Sequence, residues 1–172
     1  TVENDAKCAA LAEIWQGSLK DCQNAIVVVC GTAVGGAVIV NREIVSGKNF
    51  MAGEFNYVIT DSKDDYKMSN SLAETAGAQA LLNSVSVETG IPVEELNGEK
   101  AFSLANQGND KALAGIRNHA KKLAIHIHNC QYMFDPEKIA VGGGISEQPL
   151  LLQLIREELA KINGMYPWTL PV

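Results

Sequence analysis

A chain of 172 residues with 47% apolar and 20% charged side chains is built like one globular domain, which excludes the disordered and fibrous classes. Its 14 basic and 20 acidic residues leave a net charge of -6, the opposite of the electrostatic footprint of a nucleic-acid binder. The longest apolar run, Ala25 to Cys30, is strand-sized and far short of a membrane span.

Val2-Glu3 reads as the end of a strand, and Asn4-Asp5 as the cap of a helix running to about Gln16. The apolar positions Cys8, Leu11, Ala12 and Trp15 share one face of that helix, the face expected to meet the core, and Gly17 can stop it. Ala25–Cys30 is a buried strand. A Gly-rich turn leads into Ala37–Val40, and Asn41-Arg42 leads into Glu43–Val45, with a tight reversal at Asn41, a residue that readily takes positive φ. Three short strands with tight turns predict an antiparallel meander. Thr60–Ser71 is an irregular polar loop. Beyond residue 70 the period turns helical, most clearly through Leu113, Ile116, Ala120, Leu123, Ile127, Cys130 and Phe134, and Asp135-Pro136 ends that helix. Ile139–Val141 is a short strand, followed by Gly142-Gly143-Gly144 and a helix bearing Leu152, Ile155, Leu159 and Ile162. Ser146 is placed to cap that helix, Pro149 suits its first turn and Gly164 its exit. A meander followed by helix–strand–helix units predicts an α/β layer of helices packed on a sheet.

Three features could carry chemistry. Asn4-Asp5 at a strand-to-helix junction is an N-cap, or a carboxylate fixed at a sheet edge where it accepts a proton from an attacking hydroxyl. Cys30-Gly-Thr-Ala-Val-Gly-Gly36 is a hairpin turn, or a turn whose backbone N–H groups, with the Thr32 hydroxyl, approach an anion. Ile139-Ala-Val-Gly-Gly-Gly-Ile-Ser146 is a flexible connector, or a strand–turn–helix junction of the kind that attracts phosphates and nucleotides. Metal chemistry is not expected. His126 and His128 point about 200° apart on a helix. His126 and Cys130 share a face without a third ligand, and Asp61-Ser-Lys-Asp-Asp65 lacks the spacing of a calcium loop. The four cysteines, Cys8, Cys22, Cys30 and Cys130, form no CxxC pair and read as free thiols in a reducing cytosol. The chain opens on Thr1, so targeting signals could lie outside it.

Taken in order, Val2-Glu-Asn-Asp-Ala6, Gly31-Thr-Ala-Val-Gly-Gly36, Ala52-Gly-Glu54, Phe134-Asp-Pro-Glu137 and Ile139–Ser146 resemble the ROK (repressor/ORF/kinase) family over nearly the whole chain. The resemblance implies an actin-like, RNase H-like lobe and phosphorylation of a sugar hydroxyl by ATP with Mg²⁺. It implies Asp5 as catalytic base, Asn4 and Glu54 as sugar ligands, Gly31 and Thr32 facing the phosphates, and Gly142, Gly143 and Gly144 lining the adenosine site. Family members commonly follow Gly-Glu with Xaa-Gly-His and a cysteine-rich zinc motif. Here Phe55-Asn56-Tyr57 follows and Thr60–Ser71 has no cysteine, so no structural zinc is expected. Asn56 would stand where Gly takes positive φ, and Tyr57 would keep a hydroxyl for the sugar, a pattern similar to the family's β-glucoside kinases. Ala33 occupies a usual Gly position, which would strain the phosphate turn if that position needs positive φ.

The family's N-terminal Asp-Xaa-Gly-Gly-Thr motif does not occur, and family members continue past Val172 into a further helix. The expectation is therefore that residues 1–172 form a single domain, the large C-terminal lobe of a two-lobe cytoplasmic kinase, inactive alone. Alternatives from other classes are the sugar-sensing lobe of a ROK transcriptional regulator and a non-catalytic sugar-binding relic. The expected partner is a hexose or β-glucoside, with no nucleic acid or membrane bound by this lobe, and apolar helix faces that would permit a homodimer.

Overall fold

The structure is a computed structural model that describes residues 4–62 and 67–166. The strand end expected at Val2-Glu3 and part of the Thr60–Ser71 loop lie outside the described residues. Four strands, β1 (Ala25–Cys30), β2 (Val34–Val40), β3 (Glu43–Ile44) and β4 (Lys138–Gly142), form one sheet in the order β3-β2-β1-β4. β1 to β3 are the antiparallel meander that the turn spacing predicts, with Cys30 opposite Val34 and Ala25 opposite Ile39. β4 returns parallel to β1, pairing Val29 with Gly142. The β2–β3 reversal has Asn41 at φ 52 and Arg42 at φ 66. The arginine is held there because its guanidinium donates to the carbonyls of Ile14, Lys20 and Cys22.

Strand alternation divides the core in two. Ile26, Val28, Cys30, Val34 and Val38 face a thick helical layer, whereas Ala25, Val27, Ala37 and Ile39 face α1 (Asp5–Trp15). The thick layer holds α2 (Leu72–Ala76), α3 (Ala78–Thr89), α4 (Gly98–Asn106), α5 (Asp110–Phe134) and α6 (Pro149–Asn163). α5 buries Ile116, Ala120, Leu123, Ile127 and Cys130 as expected. It also buries His119 and His126, while Phe134 stays largely exposed. Among the described residues no helix is long and apolar enough to cross a membrane.

Several expectations are corrected. The face α1 turns to the sheet is Ala6, Lys7, Ala10 and Ile14, while Cys8, Leu11, Ala12 and Trp15 are exposed, Trp15 at 77%. The cause is proximity: a Cβ added at Gly35 of β2 would lie 3.1 Å from the Ala6 Cβ, so only small side chains fit where the helix starts. Ser146 does not cap α6. It lies in a 3₁₀ turn, Gly144–Glu147, and its hydroxyl donates to the Gly143 carbonyl at 2.7 Å. Ala33 and Asn56 are not among the residues at positive φ, so neither is strained, and Asn56 sits inside a 3₁₀ turn, Phe55–Tyr57.

Candidate active site

The sequence-predicted residues come from five segments, and the fold gathers four of them at the end of the sheet where β1 and β4 stop and β2 begins. The gathering is done largely by glycines that admit backbone where a side chain would block it. Gly143, at φ 94, lies so close over Cys30 that an added Cβ would be 2.4 Å from the Cys30 carbonyl oxygen. The glycine turn after β4 is thereby pressed against the turn Gly31–Ala33 that follows β1. On the other side of that turn the Gly31 carbonyl accepts from the Ala78 N–H at 3.0 Å, at the start of α3. A Cβ on Gly77 would lie 2.4 Å from the Thr32 carbonyl.

Gly142 and Gly144 behave differently: a Cβ at either meets nothing within 4 Å, and at Gly31 only the Ala33 carbonyl, at 3.9 Å. They leave an open, side-chain-free surface beside an exposed Thr32 and the positive end of α3. That combination fits a flat base and a chain of phosphates. Among the described residues no three His, Cys, Asp or Glu side chains cluster to hold a metal.

The polar side of the site is built on α1. Asn4 is its N-cap, its Oδ1 accepting from the Ala6 and Lys7 N–H groups at 2.9 and 3.3 Å. Its Nδ2 then faces away from the helix and donates to Glu54 Oε1 at 3.4 Å. The cap role and the ligand role are therefore compatible, since one amide performs the first with oxygen and leaves nitrogen for the second. Asp5 is exposed, with Oδ1 accepting from the Ala6 N–H at 2.8 Å. Glu54 reaches the site because Gly53, at φ 80, sits against β2: its added Cβ would be 2.9 Å from the Ala37 Cα. Phe55 follows by lying over Gly36, where a Cβ would be 2.3 Å from the ring. Tyr57 is exposed, and its backbone N–H donates to the Glu54 carbonyl at 3.3 Å.

Sequence reasoning missed Lys7. It is buried, at 4% exposure, and its ammonium lies 3.5 Å from Glu54 Oε1 and donates to the Phe50 carbonyl at 3.2 Å. The available signal was its place beside Ala6 on the small-residue face. The fifth segment, Phe134–Glu137, lies at the opposite end of the sheet, where Glu137 Oε1 accepts from the N–H groups of Gln23 and Asn24, both at 2.8 Å. Burial pushes the Cys30 and Cys130 thiols up to about 12, which makes these two poor nucleophiles. Cys130 Sγ and His126 Nε2 are 3.5 Å apart in the core.

Known proteins resemble this chain over nearly its whole length. Residues 1–172 match the ROK family. A β-glucoside kinase of Klebsiella pneumoniae is 33% identical over 163 residues, 93% of this chain and 54% of that protein. A ROK family protein of Streptococcus pneumoniae, solved in complex with sucrose, superposes with a TM-score of 0.85 at 29% identity, covering 98% of this chain and 56% of the other. A ROK family transcriptional regulator, a homologue of the E. coli MLC protein, superposes with a TM-score of 0.74 at 26% identity over 91% of this chain and 43% of the other. The chain thus spans about half the length of the curated relatives it matches, and its fold is the actin-like ATPase fold of the ROK sugar kinases.

Proposed function

The chain belongs to the ROK family, and on that premise we propose that the protein containing it transfers the γ-phosphoryl group of ATP to a hydroxyl of a hexose or β-glucoside. The observation that carries this reading is the convergence at one sheet end of a carboxylate pair with its amide, Asp5, Glu54 and Asn4, and two glycine turns in backbone contact. Binding energy and chemistry divide between them. Glu54 and Asn4, with Tyr57 as a further ligand, hold the sugar hydroxyls. Asp5 takes the proton of the attacking hydroxyl as its oxygen bonds to phosphorus and ADP leaves. Gly31 and Thr32 face the phosphates, and Gly142, Gly143 and Gly144 carry the adenosine. Mg²⁺ bound with the nucleotide would supply charge neutralisation for the transfer. The rest is positioning and exclusion of water between two lobes. This chain supplies one of them, the large C-terminal lobe, and is inactive without the other.

The test is ADP release by the full-length protein with Mg-ATP and glucose, N-acetylmannosamine or cellobiose. Asp5→Asn should cost about 10²–10⁴ in turnover and leave the melting temperature unchanged. Wild-type turnover in that variant would refute Asp5 as the base. Likeness to the regulator supports a second reading, a sugar-sensing lobe, for which sugar binding without any turnover is the expected outcome.

A further inference from the structure

Lys7 carries an inference that deepens the proposed sugar site and rests on that reading. A lysine is almost never fully buried unless it is paired, yet Lys7, in the first turn of α1, is buried. Its ammonium bridges the Glu54 carboxylate and the Phe50 carbonyl. Glu54 Oε1 therefore accepts from Asn4 Nδ2 and forms an ion pair with the Lys7 ammonium, and Oε2 has no protein partner among the described residues. The second contact is made to strained backbone. Phe50 is at φ 59, a conformation that a bulky residue adopts only when its surroundings impose it, and its side chain is 72% exposed.

We propose that Lys7 is a positioning residue for sugar binding: it pins Glu54 by one oxygen so that the other faces a sugar hydroxyl, and it pins the Phe50 turn at the rim of that site. A charged carboxylate accepts a hydroxyl hydrogen bond more strongly than a neutral acceptor does, and the ammonium supplies the buried counter-charge that such a carboxylate needs. Nothing in this role requires Lys7 to touch the substrate.

The test reads sugar affinity by calorimetry on the full-length protein, with glucose and cellobiose as probes, for wild type, Lys7→Met, Glu54→Gln and the double variant. Lys7→Met should weaken sugar binding about 10- to 100-fold, with ATP affinity held within about twofold because that site is separate. In the Glu54→Gln background the same change should add less than about threefold, since the group it positions has lost its charge. Lys7→Arg, which keeps the charge, should recover part of the loss. If Lys7→Met does not fold, Lys7→Gln takes its place, keeping a donor for the Phe50 carbonyl without the charge. Unchanged sugar affinity, or losses fully additive with Glu54→Gln, would overturn the proposal, as would a wild type that binds neither probe. Turnover measured on the same samples separates the two claims. Sugar binding that follows the expected pattern without any ADP release would refute the kinase reading and leave the role of Lys7 standing.

Discussion

The two ends of the sheet both carry polar groups and differ in what those groups do. At the end where β1 and β4 begin, four side chains are committed to the scaffold. Glu137 accepts two backbone N–H groups, Arg42 binds three carbonyls, Asn24 Oδ1 accepts from the Asn41 N–H at 3.1 Å, and Lys138 donates to the Ser18 carbonyl at 3.0 Å. At the other end Asp5 and Thr32 are exposed, Glu54 is held among the described residues by Oε1 alone, and Gly142 and Gly144 open onto space. A motif residue is thus sorted into scaffold or chemistry by whether its hydrogen-bonding capacity is already used. By that criterion Phe134–Glu137, one of the segments that carries the family resemblance, is structural.

Substitutions at the two ends should separate along this line. The largest effect expected is from Gly143→Ala, which would put a Cβ 2.4 Å from the Cys30 carbonyl oxygen and hold alanine at φ 94. A loss of about 2–4 kcal/mol in denaturant unfolding is expected, together with weaker ATP binding. Gly142→Ala, with nothing in its way, should leave stability within about 0.5 kcal/mol and weaken ATP alone. Equal destabilisation by the two would break the distinction between a glycine that seats the turn and one that clears the surface. Glu137→Ala should cost about 1 kcal/mol and leave kcat unchanged, and a fall in kcat with stability intact would place that residue in the chemistry after all.

A pH titration supplies a control that belongs to neither end. Burial, with Lys122 nearby, lowers His119 to about 4, and burial alone lowers His126 to about 4, both from 6.5. Folded-state values below the unfolded ones mean that the unfolded chain binds more protons between the two. Stability is therefore full above pH 6.5 and falls toward pH 4, by about 1.4 kcal/mol per pH unit for each histidine. His126→Phe, measured by urea unfolding at pH 7 and pH 5, should flatten part of that slope. An unchanged slope would mean that His126 is not the group responsible.

Much of the fold was legible because its signals are local. A six-residue apolar run, an Asn-Arg reversal, a 3-and-4 period from Leu113 to Cys130 and a Pro after Asp135 each declare an element within their own window. The packing of α1 was not legible. Its large apolar residues mark one face, yet the sheet takes the alanine face, because closeness at Gly35 rewards small side chains over hydrophobic ones. Lys7 was missed for a related reason: its partner Glu54 lies 47 positions away, and no periodicity within α1 announces a pair made across the fold. Asn4, Asp5 and Glu54 were singled out by motif, but only the geometry explains why one asparagine serves as both cap and carboxylate donor.

The most direct measurement is a ³¹P NMR assay of the full-length protein with Mg-ATP and each sugar, run in parallel on wild type, Asp5→Asn and Glu137→Gln. A sugar phosphomonoester signal in wild type and Glu137→Gln, absent in Asp5→Asn, is the result expected from a sheet with one chemical end and one structural end. The same signal from Asp5→Asn, or its loss in a folded Glu137→Gln, would contradict that division.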